Sequence, residues 1–153
     1  VVIEALQATH QRGILATGWG GLQANDLPKT VFQLDQAPHD WLFPNVSAVI
    51  HHGGAGTTAA GLRAGRPTLI CPFFGDQPFW GKQIYMLGVG PKPIPQKQLT
   101  TDKLAAAMHE LVANETMRRN AETLGEKIRA EDGVGNAIAI LHNTLNVQSP
   151  ASR

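Results

Sequence analysis

Apolar residues along this chain change spacing several times, and each change marks an element. Val2, Ala5, Leu6 and Thr9 recur three and four apart, which predicts an amphipathic helix over residues 1–11, stopped at Gly13. Ile14-Leu15-Ala16-Thr17 is a short apolar run ending at Gly18, and Val31-Phe32-Gln33-Leu34 is a second; both predict strands, with residues 20–28 as the loop between them. Ala37-Pro38-His39 leads into a short helix over residues 40–43, which Pro44 stops because the position before a proline is steered out of helical space. Ala48-Val49-Ile50-His51 is a third strand, and its near-continuous apolar character suits a parallel strand covered on both faces.

A helix over residues 57–64 ends at Gly65, and Pro67 opens a strand over residues 68–71. A further helix covers residues 77–87, followed by a short last strand at Val89. Residues 91–98 carry three prolines and predict a rigid surface loop. Three helices close the chain. Leu104, Ala107, Met108 and Leu111 mark the first; Met117, Ala121, Leu124 and Ile128 the second; Val134, Ala137, Ile138, Leu141 and Leu145 the third. Residues 1–147 thus form one domain, and residues 148–153 are expected to be a disordered tail. Alternating strands and helices predict an α/β class: a Rossmann-like parallel sheet with helices on both faces and right-handed crossovers, followed by carboxyl-terminal helices. Such sheets bind ligands beyond the carboxyl ends of their strands, here residues 17–19, 34–39, 51–58 and 72–77.

Composition narrows the field. The 153 residues are 42% hydrophobic and 16% charged, which is globular rather than disordered. A net charge of +1 argues against a nucleic-acid groove or a polybasic membrane patch. One cysteine, Cys71, cannot form an internal disulfide, so a reducing, cytoplasmic setting is expected. No apolar run reaches the roughly 18–20 residues of a membrane span. The opening Val1-Val2-Ile3, without Met, reads as a piece of a larger protein.

The candidate chemistry gathers at those strand ends. His51-His52-Gly53-Gly54-Ala55-Gly56-Thr57-Thr58 lies where a strand hands over to a helix. A helix N-terminus has unpaired N–H groups and about half a unit of positive partial charge. Glycines let a ligand approach the backbone, the threonines add hydroxyls, and a histidine can donate to an oxyanion: together, a phosphate site. The alternative is a turn that serves only close helix–strand packing. The segment is neither a P-loop nor a dinucleotide fingerprint, which disfavours a dinucleotide-dependent oxidoreductase. Asp76-Gln77 follows the next strand and offers an acid and an amide to neighbouring sugar hydroxyls; the alternative is a helix N-cap at Asp76.

Taken together, "APHDWLF" (37–43), "HHGGAGTT" (51–58), "GRP" (65–67) and "GDQPFWG" (75–81) resemble the carboxyl-terminal, nucleotide-sugar-binding half of family-1 glycosyltransferases of the GT-B fold. The pattern is most similar to the sterol 3-beta-glucosyltransferase group and its bacterial relatives, which include antibiotic glycosyltransferases, and covers residues 1–146. The resemblance implies that Ala37 pairs with uracil and that His39 lies by uracil or ribose. It puts the diphosphate at His52, Ala55, Gly56 and Thr57, and the glucose hydroxyls at Asp76 and Gln77. Trp19, Gly54 and Thr58 are secondary candidates. It also implies UDP-glucose as donor, no metal or other cofactor, inversion at the anomeric carbon, and a general-base histidine in an amino-terminal acceptor half that this sequence lacks, as it lacks the first strand and Gly-rich loop. Isolated, the chain is then expected to bind UDP or UDP-glucose weakly and to be essentially inactive. The expected partners are that acceptor half and a sterol or similar hydrophobic alcohol, with at most peripheral membrane contact. Two positions depart from the plant pattern: Gln36 stands for its uracil-stacking Trp and Ala60 for its ribose-gripping Glu.

Other readings remain open. The acceptor could be an antibiotic aglycone or another secondary metabolite, and the fold could serve as a non-catalytic nucleotide-binding module. His51 should point away from His52 and serve packing. His39, His51, His52 and Cys71 match no usual zinc spacing. Trp41 and Trp80 read as core, while Trp19 is divided between donor site and packing. Arg118, Arg119, Lys127 and Arg129 alternate with Glu122, Glu126 and Glu131 as a solvated helix face.

Overall fold

A computed structural model of the chain describes residues 1–16 and 27–147, the side chains of residues 146 and 147 excepted. Trp19, most of the predicted loop over residues 20–28 and the predicted tail lie outside the described residues. The elements run α1 (Val2–Ala8), β1 (Gly13–Ala16), β2 (Val31–Leu34), α2 (His39–Leu42) with a 3-10 turn (Phe43–Asn45), β3 (Val49–His51), α3 (Ala55–Arg63), β4 (Thr68–Ile70), α4 (Gln77–Met86), a second 3-10 turn (Gln96–Gln98), α5 (Thr101–Ala113), α6 (Glu115–Ala130) and α7 (Gly133–Val147).

The strands pair as two parallel ladders, β1 with β2 and β3 with β4, the latter in the register Val49–Thr68, Ile50–Leu69 and His51–Ile70. β4 is buried on both faces, and its alternation decides which helices cover it. Leu69, with Cys71 just beyond the strand, joins the cluster built from Ala5 and Leu6 of α1 and Leu104, Met108 and Leu111 of α5. Ile70 points the other way, to Ile84 of α4 and Ala121 of α6. A third cluster, Leu42, Phe43 and Val49, seats α2 and its 3-10 turn beside β3. The expected α/β plan with helices on both faces is the observed one.

Local differences have local causes. α1 ends before Gly13. His10 takes a left-handed φ of 54°, the Gln11 N–H donates to Leu6 O (3.0 Å) and the His10 N–H to Gln7 O (3.1 Å). That is a Schellman ending with histidine where glycine usually stands. Val89 forms no strand; its carbonyl accepts one bond, from the Thr68 N–H (3.0 Å). The proline-rich segment does more than cross the surface. The Ile94 and Gln96 N–H groups donate to Ile70 O and Pro72 O, both at 3.1 Å, so the segment lies along the free side of β4. Trp41 is 63% exposed rather than core, because the short α2 turns Leu42 inward instead, and Trp80 is half-buried. The apolar face of α7 is open too: Val134, Ile138, Ile140, Leu141 and Leu145 are exposed. Among the described residues no helix is long and apolar enough to cross a membrane.

Candidate functional site

Two strand-to-helix turns stand side by side at the carboxyl ends of the paired strands β3 and β4. The first, residues 52–54, depends on Gly53. Its φ is 99°, and a Cβ there would lie 2.6 Å from Ile70 Cγ2 and 3.2 Å from Gln77 O. Only glycine meets both demands, the left-handed backbone and the close approach. Gly54 is the N-cap of α3 and supplies no side-chain cap, whereas Thr100 caps α5 by accepting from the Lys103 N–H (3.3 Å) and Asn114 caps α6 by accepting from the Met117 N–H (3.0 Å). The first helical bond of α3 is the Thr58 N–H to Gly54 O (2.9 Å). The N–H groups of Ala55, Gly56 and Thr57 are therefore left outside the helical ladder, at the positive end of the helix. Ala55 and Gly56 are exposed, and nothing lies within 4 Å of where a Gly56 Cβ would be.

His52 is exposed and leans over this N-terminus, since a Cβ at Gly54 would lie 2.7 Å from His52 Nε2. Thr57 is half-buried. Thr58 is fully buried, and its hydroxyl donates to Gly54 O (2.9 Å), so it props the turn from inside instead of facing a ligand. His51 is half-buried, and its Nδ1 accepts from the Gly53 N–H (3.0 Å), which leaves the proton of the neutral ring on Nε2. That Nε2 is buried without a partner, and the ring meets His52 edge-on with centroids 6.0 Å apart. Burial first, then the charges of His52 and His39, push the His51 pKa down to about 4. His51 thus serves the turn as a neutral acceptor, in keeping with the packing role expected of it.

The second turn, residues 71–76, is built from side chains. Asp76 holds the N-cap position of α4, but its side chain does not cap the helix; its Oδ2 accepts from the Trp80 indole N–H (2.9 Å), and the residue is exposed. The capping alternative for Asp76 therefore has no bond behind it. Gln77 is only 7% exposed, and its Oε1 accepts from the N–H groups of Phe73 (2.7 Å) and Phe74 (3.2 Å). The Cys71 thiol is buried, which pushes its pKa up to about 11 and leaves it a poor nucleophile or ligand.

The upstream candidates lie beyond β2. Ala37 is half-buried against the Leu42–Phe43–Val49 cluster, and exposed His39 stacks on Phe43, with centroids 4.5 Å apart and planes 13° from parallel. The structure brings His52, Gly54, Ala55, Gly56, Thr57 and Gln77 into one locality, since Gly53 touches Gln77; His39 lies near enough for its charge to act on His51, and Ala37 packs in the cluster that takes in Val49 of β3 and Ala60 of α3. Trp19 lies outside the described residues. Trp80, the partner of Asp76, was read as core, although its four-residue spacing from Asp76 on a helix was the available signal. No group of three or more His, Cys, Asp or Glu side chains is arranged to hold a metal ion among the described residues.

Known proteins are similar to this chain in sequence and in fold. Sterol 3-beta-glucosyltransferase UGT80A2 of Arabidopsis thaliana is 52% identical over 139 residues, covering 90% of this chain but 22% of that protein. The solved structure of the kitacinnamycin glycosyltransferase superposes with a TM-score of 0.83 over 93% of this chain and 37% of its own, at 24% identity. Glycosyltransferase VinC, solved in complex with DTDP, superposes with a TM-score of 0.67 over 78% of this chain and 31% of its own, at 27% identity. The chain thus spans about a fifth of that sterol glucosyltransferase. The description of the erythromycin biosynthesis protein CIII-like carboxyl-terminal domain matches residues 14–141. Matched over most of its length, the chain belongs to that carboxyl-terminal domain family of family-1 glycosyltransferases and has the corresponding GT-B half-fold.

Proposed function

We propose that the chain is the donor-binding half of an inverting glycosyltransferase that moves glucose from UDP-glucose to the hydroxyl of a sterol or similar lipid-like alcohol. The observation that carries this is the uncapped N-terminus of α3, with His52 leaning over it, beside the Asp76–Gln77 turn. The N–H groups of Ala55, Gly56 and Thr57 and the His52 ring take the diphosphate. Asp76, exposed at the start of α4, takes glucose hydroxyls, with Gln77 beside it. Ala37 and His39 take the uridine, with His39 already stacked on Phe43 as a flat surface. The sterol assignment draws its support from relatives bearing that activity in their names at about half identity.

On this reading an acceptor hydroxyl attacks the anomeric carbon as the bond to the diphosphate breaks, and the negative charge gathers on the UDP leaving group. The helix N-terminus and His52 stabilise that charge where it develops, and no metal is required. The general base that takes the hydroxyl proton comes from an acceptor half outside this sequence, so the chain alone is inactive. The exposed apolar face of α7 is a surface that such a half can cover. The setting is cytoplasmic, with sterol drawn from a membrane surface. A second reading, a secondary-metabolite glycosyltransferase with a thymidine-diphosphate sugar, has the VinC complex in its favour.

Calorimetric titration with UDP, UDP-glucose, dTDP-glucose, GDP and NAD, with and without EDTA, tests the reading. Uridine nucleotides should bind selectively, EDTA should change nothing, and Asp76→Ala should weaken UDP-glucose more than UDP. A preference for dTDP-glucose would move the chain to the second reading. Heat from NAD alone would sink both.

A further inference from the structure

Gln77 has one feature that a plain sugar ligand does not need: both lone-pair directions of its amide oxygen are already used. Its Oε1 accepts from the N–H groups of Phe73 (2.7 Å) and Phe74 (3.2 Å), four and three residues earlier. The aromatic rings do not hold this turn by burial, since Phe73 is 67% and Phe74 72% exposed; they meet each other edge-on with centroids 6.5 Å apart. Gly75, at φ 66°, adds a bend. The remaining local bond, from the Gln77 N–H to Phe74 O, is long at 3.4 Å. The same residue is wedged against the neighbouring turn, where a Cβ on Gly53 would lie 3.2 Å from Gln77 O and 3.3 Å from Gln77 Cβ.

We infer that Gln77 is a positioning residue, whose amide oxygen clamps the backbone of the Phe73-Phe74 turn and locks it to the phosphate turn, so fixing where Asp76 stands. With its oxygen taken, Gln77 cannot accept a proton from a sugar hydroxyl; that task falls to Asp76. A turn with two large exposed rings and one flexible glycine has many alternative conformations, and two charge-free bonds to a buried amide select one of them. The clamp also gives the rings a fixed place at the sugar end of the site. This inference takes only the identity of the ligand from the proposed function, and the clamp itself is testable without any ligand.

Amide hydrogen exchange in the free chain reads it directly. Phe73 and Phe74 should be protected in the wild type and in Gln77→Glu, which keeps an acceptor oxygen and loses the amide hydrogens. Gln77→Leu should lower that protection at least about tenfold while Leu69 and Ile70 stay protected. Unchanged protection in Gln77→Leu overturns the clamp; so does loss of protection in Gln77→Glu, which decides the matter should the leucine variant unfold. In titrations, Gln77→Glu should keep the preference for UDP-glucose over UDP within about threefold, and Gln77→Leu should lose it. Lost preference in Gln77→Glu with the turn still protected would make the amide hydrogens a direct ligand and overturn the inference. If the wild type binds neither nucleotide, the proposed function fails while the exchange result still stands.

Discussion

The two turns at the ends of β3 and β4 solve opposite problems. The first keeps its side chains small and leaves backbone donors free: Ala55, Gly56 and Thr57 have no intrahelical acceptor, and their N-cap, Gly54, supplies no side-chain cap. The second spends its backbone donors internally, on Gln77, and holds out side chains: Asp76, Phe73 and Phe74. A spherical, highly charged group such as a phosphate is well met by converging N–H dipoles, which need no particular side chain. A ring with several hydroxyls needs directional acceptors, and these come from carboxylates. On the proposed function, the contrast divides one site by the chemistry of its ligand, backbone for charge and side chains for shape.

The strongest way to break the contrast is to put a side chain into the backbone turn. Gly53→Val faces a left-handed φ and a clash with buried Ile70, and should cost about 3–5 kcal/mol, read by urea unfolding. Acid should come next. The folded pKa of His51, about 4, lies below its usual 6.5, so the neutral ring stabilises the fold above pH 6.5 and that contribution is lost as pH falls toward 4. The full loss is about 3 kcal/mol, and His51→Asn, which keeps an acceptor for the Gly53 N–H, should flatten the stability profile across that window. His52→Ala should leave stability unchanged, because the side chain is exposed, and weaken UDP by about tenfold, or about 1.4 kcal/mol, in calorimetry. The smallest effect should be at Gly56. A methyl there meets open space, so Gly56→Ala should stabilise α3 by about 0.5–1 kcal/mol. A large loss of stability there would show that the turn is more crowded than the contrast requires.

Much of this was legible in the sequence because it depends on short-range rules. The buried strand at residues 68–70 declared itself by its apolar run, and the phosphate turn by its glycines, because positive φ and close approach leave few other residues. What was not legible depends on partners far in sequence or on rare substitutions of one device for another. His10 closes α1 where glycine was expected, since the left-handed position is open to a few polar residues at modest cost. Asp76 sits at an N-cap position yet bonds Trp80, and Gln77 turns back onto Phe73 and Phe74, wedged against Gly53 of the neighbouring turn; an Asp-Gln pair permits either outcome, and local sequence does not choose. The periodicity of α7 was legible as a pattern, but its exposure was not, because periodicity says that a face wants covering and nothing about what covers it.

The segment after Val89 carries a consequence for how this protein behaves at high concentration. Along β4 its inward donors are Ile94 and Gln96, and the alternate positions, 91, 93 and 95, are all proline. An extended chain turns successive N–H groups to opposite sides, so the outward side of this edge has no hydrogen to offer. A stray strand from another molecule finds carbonyl acceptors there but no donors, so it can form only half of a ladder. The same prolines that cost the sheet a regular last strand thus act as a terminator, ending strand addition at the boundary of one molecule and guarding the short sheet against edge-to-edge growth.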